Sequence, residues 1–311
     1  MDKIPLIDLH IHSKYSDGTF TPEEIVKEAK RRNIEMIALT DHNTLAGIPD
    51  FRKACKKYNQ KALAGIEIST SYKNKEVHLL GYFPLNDDLR NKKYSLLKKI
   101  LKEYKGLKQK QNEAILQKII DVGRYDISIP DFYKYVKSIS VDDNYNRVHI
   151  AKYMVYKGLV DSIDDAFDYI GEGCDFYVEK ETVTLGKAIK AIRAAGGISV
   201  IAHLGEYDFS SDEMTMFFNY CRNNSVHGFE CFHPSHTKID LDNIVDNTLY
   251  MIDNSSTKYN VLLTAGSDFH GKNKKNILGE TCICKLDERL IRVMNLSYLK
   301  TFKILEERLC I

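Results

Sequence analysis

The sequence has no long apolar run, no excess of one charge and no paired-cysteine motif. No hydrophobic stretch approaches the roughly 20 residues that cross a bilayer, and no apolar secretory segment precedes the first strand. The expectation is a cytoplasmic protein with no membrane partner. Lys and Arg number 45 against 43 Asp and Glu, a net charge of +2, so the chain as a whole is not built as a polyanion binder. Its seven cysteines are odd in number and none forms Cys-x-x-Cys, which excludes a zinc ribbon or redox dithiol and fits a reducing compartment. Cys282 and Cys284 read as buried strand thiols. Neither Gly-x-Ser-x-Gly nor a phosphate-loop sequence occurs, so no side-chain nucleophile of those types is expected.

What is present is a chain of 311 residues, 43% hydrophobic and 28% charged, enough for a large core plus an insertion. The run Ile7-Asp8-Leu9-His10-Ile11-His12 has strand character. Thr21-Pro22-Glu23-Glu24 then opens a helix with a capping box and a proline at its first position. Further strands are predicted over 35–40, 62–67 and 77–82, with a helix over 45–58. Beyond them come a helix over 185–195, a strand over 198–203, a helix over 212–223, strands over 228–232 and 262–268, and a helix over 297–308. Alternating strands and helices predict a parallel α/β architecture.

Residues 86–182 depart from this alternation. Helical patterns over 92–122, 129–138, 147–156 and 162–170 read as a helical insertion, leaving 1–85 and 183–311 as the α/β body. Within 90–110 nine Lys or Arg face one acid, Glu103. A solvated helix face is the ordinary reading of such a run; a surface guiding phosphate or nucleic acid is the sharper one.

Ligand-type residues fall at strand ends. His10 and His12 share one face of the first strand, because side chains at i and i+2 do so. Asp17 follows them, His42 follows the second strand, Glu67 ends the third and His78 sits on the fourth. His203, Asp268 and His270 end later strands. In a closed α/β barrel those ends surround one mouth, so metal binding is expected. Imidazole mixed with carboxylate and no thiolate suits zinc, manganese or iron. Three carboxylates supply about −3, and three divalent ions would supply about +6, an excess that attracts phosphate. The natural nucleophile is then a metal-bound hydroxide.

These motifs resemble the PHP (polymerase and histidinol phosphatase) metal-dependent phosphoesterases. The likeness is carried by His10-Ile11-His12 with Ser16-Asp17-Gly18, Thr40-Asp41-His42-Asn43, Gly65-Ile66-Glu67-Ile68-Ser69, His78-Leu79-Leu80-Gly81-Tyr82, Ala202-His203 and Gly266-Ser267-Asp268-Phe269-His270-Gly271. It implies a distorted seven-stranded (β/α) barrel with two to three divalent ions, manganese first and zinc or iron as alternatives. By position, His10, His12, Glu67 and Asp268 would hold one metal. Glu67, His78 and His203 would hold a second, and Asp17, His42 and His270 a third. Asp41 looks like a carboxylate that orients a ligand imidazole.

The insertion is similar to that of the branch acting on nucleoside 3′,5′-bisphosphates or short 5′-phosphorylated RNA. There it covers the site and carries an Arg-Pro-His motif for phosphate. Here Arg147-Val148-His149 stands at that position, with valine for proline. Arg147, His149, Ser267 and Lys272 are therefore candidate phosphate contacts, Lys274 and Lys275 stand beside them, and His233 and His236 are candidate assisting groups. The substrate expected is a nucleotide or short oligonucleotide, with no obligatory protein partner. Two alternatives are a small-metabolite phosphatase of the histidinol phosphate type and a non-catalytic metal-dependent phosphate or nucleic-acid binding module. The filled ligand positions argue against the latter.

Overall fold

The computed structural model describes residues 6–139, 145–179, 181–236, 239–240, 242–244, 246, 261–281, 305 and 307. Two compact units are present: Met1–Lys98 with Thr184–Ile311, and Lys99–Val183. The expected helix over 297–308, apart from 305 and 307, and the pair Cys282 and Cys284 lie outside the described residues.

In the first unit the strands are β1 (Ile7–Asp8), β2 (Met36–Leu39), β3 (Lys61–Tyr72), β4 (Lys75–Phe83), β6 (Ile198–Ile201), β7 (Gly228–Phe232) and β8 (Leu262–Ala265); the short β5 (Val183–Thr184) lies off their path. They run in the order β1-β2-β3-β4-β6-β7-β8. Leu9 N donates to Ala265 O at 2.9 Å and His12 N to Phe269 O at 2.9 Å, which nearly closes a seven-stranded barrel. Strands β2, β6, β7 and β8 are buried along their full length, as expected of strands covered on both faces.

Helices α1 (Pro22–Arg31), α2 (Ile48–Tyr58), α7 (Leu185–Ala194) and α8 (Ser211–Asn223) belong to this unit. The local signals act as read: Thr21 and Glu24 form the capping box of α1, and Pro22, Ile25, Val26 and Ala29 make its buried face. Those positions recur with helical period, and burying Ile25 and Val26 contributes about 1.5–3 kcal/mol each.

One expectation fails. β4 runs antiparallel to both β3 and β6, so the barrel is mixed rather than parallel. The cause is the tight turn at Lys73 and Asn74, whose φ angles are +48° and +65°; two left-handed residues reverse a strand into a hairpin. The hairpin also lengthens β3, so Glu67 sits mid-strand and not at its end.

The second unit comprises most of α3 (Ser95–Asp121) and all of α4 (Ile129–Ile139), α5 (Arg147–Tyr156) and α6 (Ile163–Ile170). Leu116 and Ile119 of α3, Phe132 and Val136 of α4, and Ile150 and Tyr153 of α5 form its own buried cluster. Each apolar set repeats at three- or four-residue spacing, which is what lets short helices share one core.

Candidate metal centre

The barrel mouth collects the ligand-type residues, mostly from turns just beyond the strands. β6 stops at Ile201 and β8 at Ala265, short of His203 and Asp268, because these two residues take φ of +22° and +51°. Non-glycine residues rarely adopt such angles, and sites that need a fixed side-chain direction often hold them.

Eight of the nine residues converge in overlapping sets, and His203 adjoins them through Glu67. His10, His12, Glu67 and Asp268 offer ligand atoms all within 4.8 Å of one another, as do His12, Asp17, His42 and His270, and also His42, Glu67 and His78. Glu67 lies at the middle: its Oε2 is 3.2 Å from His10 Nε2, 3.2 Å from His12 Nε2 and 2.9 Å from His42 Nδ1. Its Oε1 is 2.8 Å from His78 Nδ1 and 3.1 Å from His203 Nε2. Asp17 Oδ1 is 3.2 Å from His270 Nε2, and Asp17 Oδ2 is 3.7 Å from His42 Nε2. Register explains His78: Glu67 pairs with Leu80, and His78 stands two residues along the same face.

Whether this set suits metal ions is decided by tautomers. His10 Nδ1 faces both oxygens of Glu230 at 3.1 Å, so the proton belongs there and Nε2 presents a lone pair to Glu67 and Asp268. His270 Nδ1 donates to Asp268 O at 2.8 Å, leaving its Nε2 lone pair toward Asp17. A lone pair facing a carboxylate is repulsive unless a cation, a proton or a metal ion, lies between them. Among the described residues His10 Nε2, both His12 ring nitrogens, Asp17 Oδ1, Glu67 Oε2 and His270 Nε2 are buried with no hydrogen-bond partner. Each such atom is costly to bury, and a divalent cation satisfies several together. The donor set fits.

The electrostatics agree. Burial pulls His10 down, but Glu230, Glu67 and Asp268 outweigh it and hold the imidazole well above its ordinary value. Glu67 is driven the other way: burial opposes its charge, yet His42, His10 and His78 keep it well below the usual range. A field that retains protons on imidazoles also retains metal ions, which would displace those protons.

Two carboxylates of this site were missed in the sequence. Glu230, fully buried in β7, orients His10 and accepts from His203 N at 2.8 Å. The signal was available as a lone acid within an apolar strand. Asp8 is also fully buried; it accepts from Ser267 N and Oγ at 2.9 and 2.5 Å and from Gly279 N at 2.8 Å. It thereby ties β1 to the turn that carries Asp268.

Several expectations need correction. Asp41 orients no imidazole through a hydrogen bond among the described residues; it accepts from Ser13 N, Ser13 Oγ and Ser16 Oγ, each at 2.7 Å, and so shapes the turn bearing Asp17. Ser267 is fully buried, with its hydroxyl committed to Asp8, and is not positioned for substrate. His236 accepts from Gly205 N at 3.0 Å and donates to Cys231 O at 2.8 Å, so both ring nitrogens serve the fold. His233 differs: Ser235 N donates to its Nδ1 at 3.2 Å, which puts the proton on a buried Nε2 without a hydrogen-bond partner.

A cavity of about 410 Å³ adjoins the cluster, lined by Asp268, His233, Ser235, Glu206, Lys274 and Lys275 among others. Lys272 is exposed and is not among its described lining residues. Lys274 takes that place, pairing with Asp268 Oδ2 while Oδ1 faces His10 and His12. In the other unit, the Arg147 guanidinium stacks 5.5 Å from the Tyr177 ring centre. His149 is buried there, and its Nδ1 accepts from Asn146 N at 3.1 Å at the start of α5.

Comparison with known proteins places this arrangement. Residues 8–195 match the PHP domain. The chain is 35% identical to a 5′-3′ exoribonuclease of Haemophilus influenzae over 204 residues, 65% of this chain and 70% of that protein. It is 28% identical to a 3′,5′-nucleoside bisphosphate phosphatase of Chromobacterium violaceum over 265 residues, 85% of this chain and 87% of the relative. A solved structure from Bifidobacterium adolescentis, described as a metal-dependent phosphoesterase, superposes with a TM-score of 0.73 at 22% identity, covering 95% of this chain and 97% of the other. That fold implies divalent metal ions, for which the mouth carries candidate sites. The chain belongs to the PHP domain family and is a hydrolase of the metal-dependent phosphoesterase type.

Proposed function

We propose that this protein hydrolyses phosphate esters of nucleotides, either nucleoside 3′,5′-bisphosphates or short 5′-phosphorylated oligonucleotides, with two to three divalent ions, manganese preferred. The observation that carries the reading is the set of buried imidazole nitrogens without hydrogen-bond partners that face buried carboxylates, beside a cavity that holds lysines. The relatives that act on RNA and on nucleoside bisphosphates support the substrate class.

His10, His12, Glu67 and Asp268 would hold one ion, Glu67, His78 and His203 another, and Asp17, His42 and His270 a third. Bound ions supply Lewis acidity, neutralising phosphoryl oxygens and making water a usable nucleophile near neutral pH. The chain's own groups do the rest. Glu230 fixes the ring of His10, and Asp41 fixes the turn of Asp17. Lys274 and Lys275 offer ammonium groups to a phosphate in the adjoining cavity. Burial, against the opposing pull of Glu230, lowers His233 to about 4, so it is neutral at pH 7 and can donate from Nε2 to a phosphate or leaving oxygen. Arg147 is proposed as a further phosphate contact through its planar guanidinium.

Among the described residues no helix is long and apolar enough to cross a membrane. A cytoplasmic setting is part of the proposal; Cys55, Cys174 and Cys221 are free thiols, the state a reducing compartment maintains.

The test is phosphate release by manganese-loaded protein from adenosine 3′,5′-bisphosphate, a 5′-phosphorylated RNA dinucleotide, AMP and histidinol phosphate. Release is expected from the first two. Activity confined to histidinol phosphate would overturn the nucleotide reading.

A further inference from the structure

Two glutamates outside the ligand set stand against ligand imidazoles. Glu76 and His78 occupy alternate positions of β4 and so share one face of the strand. Glu76 Oε1 lies 3.0 Å from His78 Nε2, while the other ring nitrogen faces Glu67. Glu206 follows His203 by three residues, and its N–H donates to His203 O at 2.9 Å. That tight turn carries the Glu206 carboxylate back over the ring, with Oε2 3.4 Å from His203 Nδ1.

The two contacts have the same sense. In each ring one nitrogen points at Glu67 Oε1, His78 Nδ1 at 2.8 Å and His203 Nε2 at 3.1 Å, and the other points at a glutamate. An imidazole that gives its lone pair to a metal carries its proton on the far nitrogen. An acceptor placed there fixes both the tautomer and the ring plane. Glu76 meets this need for His78. For His203 the need is sharper, because its Nδ1 is buried with no hydrogen-bond partner among the described residues, and Glu206 is the carboxylate within reach of it.

This backing differs from that of His10. Glu230, which holds His10 Nδ1, is fully buried, whereas the side chains of Glu76 and Glu206 are 45% and 41% exposed. A carboxylate shared with water is screened and orients its partner less firmly. We propose that Glu76 and Glu206 are positioning residues for the ion held by Glu67, His78 and His203, and that this ion is the most readily exchanged of the set. The inference rests on the reading of His78 and His203 as ligands. Both glutamates act through the imidazoles and not on the reacting atoms.

The test is equilibrium dialysis of the full chain against manganese buffered over a range of free concentrations, with bound metal per chain measured by elemental analysis. This yields stepwise affinities without reference to turnover. His78→Ala should abolish the weakest step. Glu76→Ala and Glu206→Ala should each weaken that step roughly tenfold, while the tighter steps and the urea midpoint keep their wild-type values. Glu76→Gln and Glu206→Gln, which retain an acceptor in the same place, should recover part of the loss. Glu35→Gln is the control: Glu35 is exposed just before β2, at the opposite end of that strand from His42, and its variant should bind manganese as wild type does. A weak step unchanged in an alanine variant overturns the role of that glutamate, and equal weakening of every step overturns both. If His78→Ala leaves the stepwise profile intact, the ligand reading fails and the proposal falls with it. If His78→Ala loses a step that both alanine variants keep unaltered, only the role of the glutamates fails.

Discussion

Glu230 shows how much a single buried side chain carries here. Its two oxygens hold the His10 Nδ1 proton and so direct Nε2 toward Glu67 and Asp268. Partners of this kind typically contribute about 10–100-fold in metal affinity. Glu230→Gln, which keeps the shape, should therefore weaken manganese binding by about that factor in a chelator competition, with little change in the far-ultraviolet dichroism spectrum. Unchanged affinity would refute the assignment. Gly266 is the complementary case: a Cβ there would stand 2.1 Å from Glu230 Oε1 and 2.3 Å from His10 Cβ. Gly266→Ala should destabilise the fold by about 1–3 kcal/mol, read as a lower urea midpoint at unchanged slope. The lone acid of β7 stood out in the sequence, but neither its partner nor the need for glycine at 266 did. A glycine and a glutamate 36 positions apart acquire meaning only when β7 and β8 pair. His10, His12 and Asp268 were legible because their residue types and spacing already name a chemistry.

Elements were easiest to read where their determinants are local. The α1 capping box lies within four residues and was visible at once; the direction of β4 was not, since it hangs on the φ angles of Lys73 and Asn74. The last turn of α1 offers a test by pH. Glu28 is held down to about 2 by hydrogen bonds from Arg31 and Arg32, against a smaller opposing effect of burial. A depressed carboxyl stabilises above its ordinary value of 4.5 and loses that contribution as pH falls toward about 2. The pair is largely solvated, so the effect is small, below about 1 kcal/mol. Glu28→Gln should lower the urea midpoint slightly at pH 6, and the difference from wild type should vanish as pH approaches 2. A difference that persists at pH 2 would show that the charge is irrelevant.

At the scale of the whole molecule, chemistry and recognition have different substrates in the sequence. The barrel gathers turns from distant segments into one mouth, so a pattern of strand-end histidines reveals it. Corrections fell on residues whose partners are not sequence neighbours: Asp41 supports a turn, Ser267 serves Asp8, and His236 serves the backbone. The helical unit showed a basic run and Arg147-Val148-His149 in its sequence, while a cavity lined from α3 and α4 emerged only from the fold. Lys274 links the cluster to the adjoining cavity through Asp268. Lys274→Met should therefore raise KM for a phosphorylated substrate more than it lowers kcat, with metal content retained. Loss of bound metal instead would make it a support of Asp268 alone.

The most direct test is to titrate manganese into metal-stripped protein while following phosphate release from adenosine 3′,5′-bisphosphate. Release should be absent at the start, rise to a plateau at roughly two to three ions per chain, and stay near baseline throughout in Asp268→Asn. Full release from the stripped protein, or a wild-type titration in Asp268→Asn, would contradict a metal-dependent phosphoesterase centre built on these residues.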